Sequence, residues 1–238
     1  MNFKDYLKDA ADKYGISLND VQINQFNKYF QLLIEWNEKI NLTAITEPKE
    51  VAIKHMIDSL TCWDSERFKG DISVIDVGTG AGFPGIPLKI FQPGIKLTLL
   101  DSLNKRINFL QTVVDELGLQ NVECIHARAE EGARNKKLRE SFDLVVSRAV
   151  ARLPVLAEYC LPFVKKNGIF AALKGMKFAE EADAAKKALS ILGGGEAECV
   201  EVKLPYLDDK RAVIYIKKEK NTPKVYPRKA GTPDKNPL

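Results

Sequence analysis

The sequence is poor in the groups that usually hold metals. It has two histidines and four cysteines in 238 residues. Cys62, Cys124, Cys160 and Cys199 lie far apart and form no CxxC pair, so no structural zinc site is expected and reduced thiols in a cytosol are the default. No apolar run approaches the roughly 20 residues of a membrane helix, and no cleavable signal is recognisable. A soluble, intracellular, cytoplasmic protein without membrane or metal partners is expected. Internal repeats and low-complexity tracts are absent as well. The net charge is only +4, but it is unevenly spread. From Lys217 to Leu238 there are seven Lys/Arg against Glu219 and Asp234, so this tail carries +5 and the rest of the chain −1.

What is present alternates in a regular way. Phe3, Tyr6, Leu7, Ala10, Ala11 and Tyr14 recur at helical spacing up to Gly15, an amphipathic helix with a glycine stop. Ser17 and Asp20 read as a capping box for a second helix reaching about Ile40. Asn41-Leu42-Thr43 reads as a turn, and Glu47-Pro48 as a third helix start. From Ile72 onward, apolar β-branched runs alternate with helical patterns: strands are expected over 72–77, 95–100, 122–126, 142–147 and 168–173, and helices over 83–91, 103–117, 153–164 and 178–192. Such alternation implies a parallel sheet covered on both faces. Residues 198–204 and 211–216 are two strands with only a loop between them, so an antiparallel hairpin closes the sheet. The expected organisation is a helical appendage over 1–65, a nucleotide-binding α/β domain over 66–220 and a basic, proline-rich tail over 221–238.

The first of these strands feeds a glycine-rich turn, Asp76-Val-Gly78-Thr-Gly80-Ala-Gly82-Phe-Pro-Gly85. Glycines there allow positive φ and leave no Cβ between backbone and ligand, and a strand running through such a loop into a helix makes a nucleotide pocket. Gly80-x-Gly82-x-x-Gly85 also matches the nicotinamide-dinucleotide fingerprint. In the other register, however, Asp76 sits at the end of the strand, where a carboxylate would repel a pyrophosphate but suits a ligand with a cationic amino-acid end. That register resembles motif I of class I S-adenosylmethionine-dependent methyltransferases. Asp101 ends the second strand, where an acid meets ribose hydroxyls; capping of the following helix is compatible with the same position. Arg128-Ala129-Glu130 follows the third strand at the ligand edge of the sheet, where the same resemblance implies an adenine contact by a backbone amide and an acidic side chain. Ser147-Arg148-Ala149 ends the fourth strand, and the fork of Arg148 suits a carboxylate or a phosphate.

One constellation extends over nearly the whole chain. Trp36-Asn37-x-x-Ile40-Asn41-Leu42-Thr43, His55-x-x-Asp58-Ser59-Leu60, Asp76 to Pro87, Ser147-Arg148-Ala149 and Tyr226-Pro227-Arg228-Lys229-x-Gly231-x-Pro233-x-Lys235-x-Pro237-Leu238 together resemble the ribosomal RNA small-subunit methyltransferase G family (RsmG/GidB). The resemblance implies a Rossmann-like class I methyltransferase fold with a seven-stranded sheet. It also implies S-adenosyl-L-methionine as donor and N7 methylation of a guanine in a 16S rRNA hairpin loop of the decoding region, on the small ribosomal subunit or its precursor. The donor-binding residues it implies are Asp76, Gly78, Gly80, Gly82, Phe83, Asp101, Ala129, Glu130 and Arg148, with Arg148 also the candidate catalytic residue.

Two other absences narrow the chemistry. The chain contains neither the Asn/Asp-Pro-Pro-aromatic tetrad of amino-group adenine methylases nor the Pro-Cys nucleophile of cytosine-C5 enzymes. Guanine N7 carries a lone pair and no proton, so attack there needs no general base. Asn41, Arg228, Lys229 and Lys235 are candidate RNA contacts, the last three on a stiff extended strip able to track phosphates. Removal of 222–238 is therefore expected to spare donor affinity and abolish RNA methylation. His55 and Asp58 could form a catalytic pair, but His55 is also at helical spacing for capping contacts between appendage and sheet, and the structural reading is the favoured one. The competing functions are a nicotinamide-dependent oxidoreductase, which would use Gly80, Gly82, Gly85 and Asp101, and a non-catalytic RNA-binding module.

Overall fold

A computed structural model describes residues 2–238. Helix α1 (Phe3–Tyr14) ends on Gly15 in the left-handed region, as its periodicity requires. Helix α2 (Asp20–Ile40) begins two residues later than the Ser17 reading: its capping box is Asn19 with Gln22, and Asn41 closes it in the left-handed conformation. The amide oxygen of Asn19 is as good an acceptor for the N3 amide as a hydroxyl, and Gln22 returns the bond. A third helical run starts with Pro48 in its first turn, as α3 (Pro48–Val51), widens into a π-helical stretch (Ala52–Ile57) and continues as α4 (Asp58–Leu60). Nothing in the sequence foretold the π-helical stretch, which carries His55 and Lys54.

Strands and helices then alternate: β1 (Ser73–Val77), α5 (Gly85–Phe91), β2 (Lys96–Asp101), α6 (Asn104–Glu116), β3 (Val122–His126), a single turn α7 (Ala129–Gly132), β4 (Phe142–Arg148), α8 (Leu153–Cys160), β5 (Val164–Lys174), α9 (Phe178–Leu192), β6 (Gly194–Val202) and β7 (Arg211–Lys218). They form one seven-stranded sheet in the order β3-β2-β1-β4-β5-β7-β6. β1 to β5 are parallel, and β7 enters antiparallel against both β5 and β6. The expected architecture is the observed one. β6 is earlier than the 198–204 reading because Gly194 already pairs with Lys218; only Gly193 of the three glycines serves as the helix cap.

The sheet separates two cores, as period-two alternation dictates. Val74 faces the layer built from α1, α2, the 48–60 run, α5 and α6, whereas Ile75 and Val77 face α8 and α9. Phe26, Tyr29, Met56, Ile57 and Phe109 are fully buried together on the first side. The amino-terminal helices thus share one continuous core with the sheet.

The tail is not the extended strip its prolines suggest. Arg139 donates to the carbonyls of Tyr226 (2.9 Å) and Thr222 (2.8 Å), and Glu140 accepts from the Thr222 amide. Arg228 donates its backbone amide, Nε and Nη2 to Glu158, a residue 1% exposed. The segment ends in a last turn of helix, α10 (Thr232–Lys235). Local composition favoured an open strip, but these tertiary bonds fold it back onto the domain.

Candidate active site

The glycine turn is held from below. Asp76 is fully buried, and its Oδ2 accepts from Thr79 Oγ1 (2.7 Å) and from the Gly85 amide (2.8 Å). Its Oδ1 has no partner among the described residues. Burial without full compensation raises the Asp76 pKa to about 7, because the charged form loses its hydration. Tyr29, reaching across from α2, donates to the Ala81 carbonyl. Gly82 needs its missing side chain here: at φ +98, an added Cβ would lie 2.7 Å from the Tyr29 hydroxyl. Gly78, at φ +71, lies equally close to Val150, 2.6 Å from where its own Cβ would stand.

Above the turn lies a cavity of about 570 Å³, within the range of small-molecule sites. Gly78, Gly80, Phe83, Asp101, Ala129, Glu130 and Arg148 all line it. Asp101 is 2% exposed; it accepts from the Gly80 amide (2.9 Å) through Oδ2 and from the Leu103 amide (2.9 Å) through Oδ1. It braces the loop while facing the cavity, and the following helix has Leu103, not Asp101, as its cap. Glu130 accepts from the Gly231 amide at 2.9 Å, which brings the tail to the cavity wall. Two of the expected donor-binding residues do not reach the lining. Asp76 lies beneath the turn and Gly82 against Tyr29, so both shape the turn from behind.

Arg148 differs from its sequence reading as a free clamp. Its Nη1 donates to Asp58 Oδ2 (2.8 Å) and to the Lys54 carbonyl (3.0 Å), and its guanidinium lies 4.9 Å from the centre of the Phe83 ring. Arg211 binds the other oxygen of Asp58 at 3.0 Å. One buried carboxylate therefore ties the ends of β4 and β7 to α4. The His55 ring stacks on Phe83 with centroids 4.5 Å apart, and its Nε2 is 2.9 Å from Thr43 Oγ1. Arg148 Nη2 points at His55 Nδ1 from 3.3 Å. Burial, and then the Arg148 charge, lower the His55 pKa to about 4, so the ring is neutral at physiological pH.

Asn41 is exposed at the end of α2, beside Leu42 and Thr43, which do line the cavity. Lys229 and Lys235 are exposed on the folded tail, while the fork of Arg228 is taken up by Glu158. Sequence reasoning missed Thr43, Tyr159, Gly231 and Asp234 as lining residues. For the last two a signal existed in the Gly231-x-Pro233 spacing, but charge drew attention to the neighbouring lysines.

The family profile described as rRNA small subunit methyltransferase G matches residues 22–212. The chain belongs to this family. The ribosomal RNA small subunit methyltransferase G of Desulforamulus reducens is 53% identical over 98% of this chain and 97% of its own length. That of Alkaliphilus oremlandii is 53% identical over the full length of both. A SAM dependent methyltransferase from Aquifex aeolicus superposes with a TM-score of 0.52 at 18% identity, covering 72% of this chain and 94% of that one. The resemblance drawn from the motifs is thereby confirmed, and with it the class I methyltransferase fold. The nicotinamide reading falls, since an antiparallel β7 closes the sheet and the family is one of rRNA methyltransferases. Among the described residues no helix is long and apolar enough to cross a membrane.

Proposed function

We propose that this methyltransferase modifies N7 of a guanine in 16S rRNA, in the decoding-region hairpin loop of the small subunit or its precursor, in the cytoplasm. S-adenosyl-L-methionine is the methyl donor, and when bound it supplies an electrophilic sulfonium methyl. The lining fits such a group: Gly80 stands open, with nothing within 4 Å of where its Cβ would be, and two carboxylates, Asp101 and Glu130, face the same cavity. Gly78 and Gly80 would hold the amino-acid end, Asp101 the ribose, and Ala129 with Glu130 the adenine.

The observation that carries the N7 assignment is the lack of an available base at the β4 end. His55 is a weak base, its pKa lowered to about 4 by burial and by Arg148, whose Nη2 faces its Nδ1, and Asp58 is taken by two arginines. A site so arranged cannot readily remove a proton from an attacking amine or hydroxyl, whereas guanine N7 has none to lose. What the residues supply is alignment, worth several powers of ten in rate when the reacting atoms are held in contact. Arg148, fixed by Asp58, orients the neighbouring wall rather than abstracting a proton. Lys229 and Lys235, exposed on the tail, would serve as phosphate contacts. Mass spectrometry of 16S rRNA from cells lacking the protein tests this: N7-methylguanosine should fall by one residue per 16S molecule. An unchanged content refutes the assignment.

A further inference from the structure

A second cavity, of about 530 Å³, opens on the other side of the β4 end. It shares His55, Arg148, Ala149 and Val150 with the donor cavity. Its charge is strongly one-sided. Lys54, Arg148, Arg152, Lys174 and Arg211 line it, against the carboxylates of Asp58 and Glu181. Those two acids are already committed, Asp58 to Arg148 and Arg211 and Glu181 to Lys174. Arg152 is exposed and has no ion-pair partner among the described residues. Lys54 is partly exposed, paired only with Glu50 at the rim. Val150, an aliphatic side chain 40% exposed, lines both cavities. The bend that delivers it passes through Ala149 at φ +56, a backbone conformation uncommon for any residue but glycine.

Methyl transfer requires donor and acceptor atoms within about 3.5 Å of each other, so the acceptor must occupy space continuous with the donor cavity. We infer that this second cavity seats the target nucleotide, with Val150 against the face of the base and Arg152 and Lys54 on the phosphates at either side of it. The inference rests on the proposed reaction and adds its substrate seat. A splayed-out nucleotide of single-stranded RNA has that composition, one apolar face and flanking negative charge. Arg148 and Arg211 share the single Asp58 carboxylate, so their cluster keeps one positive charge in excess, beside those of Arg152 and Lys54. The tail lysines, Lys229 and Lys235, flank Gly231, which bonds Glu130 at the opposite end of the donor cavity, and serve the RNA at a distance from the reacting base.

The test uses the intact protein and a small-subunit RNA hairpin, with binding measured without donor across 50–200 mM salt and methylation measured separately. Arg152→Gln and Lys54→Gln should each weaken RNA binding about tenfold and lower the slope of log affinity against log salt by about 0.7, the value for one lost phosphate contact on a single strand. Donor affinity by calorimetry should stay within twofold, and Lys186→Ala, an exposed lysine on α9, should leave both unchanged. Val150→Ser should raise KM for RNA while the salt slope stays at the wild-type value. Wild-type RNA affinity and slope in both the Arg152 and Lys54 variants, with methylation intact, overturn the seat and leave the reaction standing. Absence of any methyl transfer by the wild-type protein overturns the reaction itself.

Discussion

Replacing Asp76 with asparagine should remove a specific slope from the pH dependence of stability. The carboxyl is fully buried, its Oδ2 takes the Thr79 hydroxyl and the Gly85 amide, and its Oδ1 faces no donor. Burial raises its pKa from 3.8 to about 7. Between those values the folded protein holds a proton that the unfolded chain releases. Stability contributed by the protonated form is therefore fully present below 3.8, is lost as pH rises towards 7, and stays lost beyond. At about 1.4 kcal/mol per pH unit well below the raised pKa, with the slope flattening as pH approaches it, the wild type should lose roughly 2 kcal/mol relative to Asp76→Asn between pH 5 and pH 7. Asparagine keeps an oxygen for Thr79 and Gly85; its NH2 group, left facing the empty side, costs about 1–3 kcal/mol, but that cost does not vary with pH. Urea denaturation of both proteins at pH 5, 6, 7 and 8 reads the difference directly. Parallel curves over that range would show that Asp76 is ionised throughout and that the turn compensates its charge.

Further expectations concern the walls of the site. Arg228→Ala strands a carboxylate that is 1% exposed, and should destabilise the protein by about 3–5 kcal/mol in chemical denaturation; Arg228→Lys should recover only part of this, since a lysine cannot reproduce the fork. Asp101→Ala removes the acceptor of the Gly80 amide as well as the proposed ribose contact, so calorimetry should show at least a tenfold weaker donor with the fold retained. Deleting residues 229–238 takes away Gly231 and Asp234, both in the cavity lining. Donor affinity should then fall together with RNA methylation, contrary to the expectation from sequence that only the latter suffers; unaltered donor binding would show that this wall is dispensable.

Much of this architecture was legible because it rests on local periodicity. β3 and α9 fall on their expected residues, since Val122–His126 and Phe178–Leu192 have clear patterns with turn residues at both ends. The glycine turn was legible because positive φ at Gly78, Gly80 and Gly82 leaves a compositional trace. The illegible parts depend on partners remote in sequence. Asp76 looked like a ligand contact, yet its bonds to Thr79 and Gly85 turn it under the loop. Arg148 looked free until Asp58, ninety positions earlier, was placed beside it. The tail looked open because no sequence pattern announces that Arg134 and Arg139 will donate to its carbonyls. Those pairings are set by tertiary packing, which overrides the propensity of a proline-rich stretch.

The bond from Gly231 to Glu130 has a consequence for synthesis. During translation the glycine turn leaves the ribosome long before Gly231 and Asp234 do. A nascent chain can build the sheet as far as β7 while the Glu130 end of its cavity still lacks one side. Competence to grip the donor should therefore arrive only after Gly231 and Asp234 have emerged and the bond from Gly231 to Glu130 has formed.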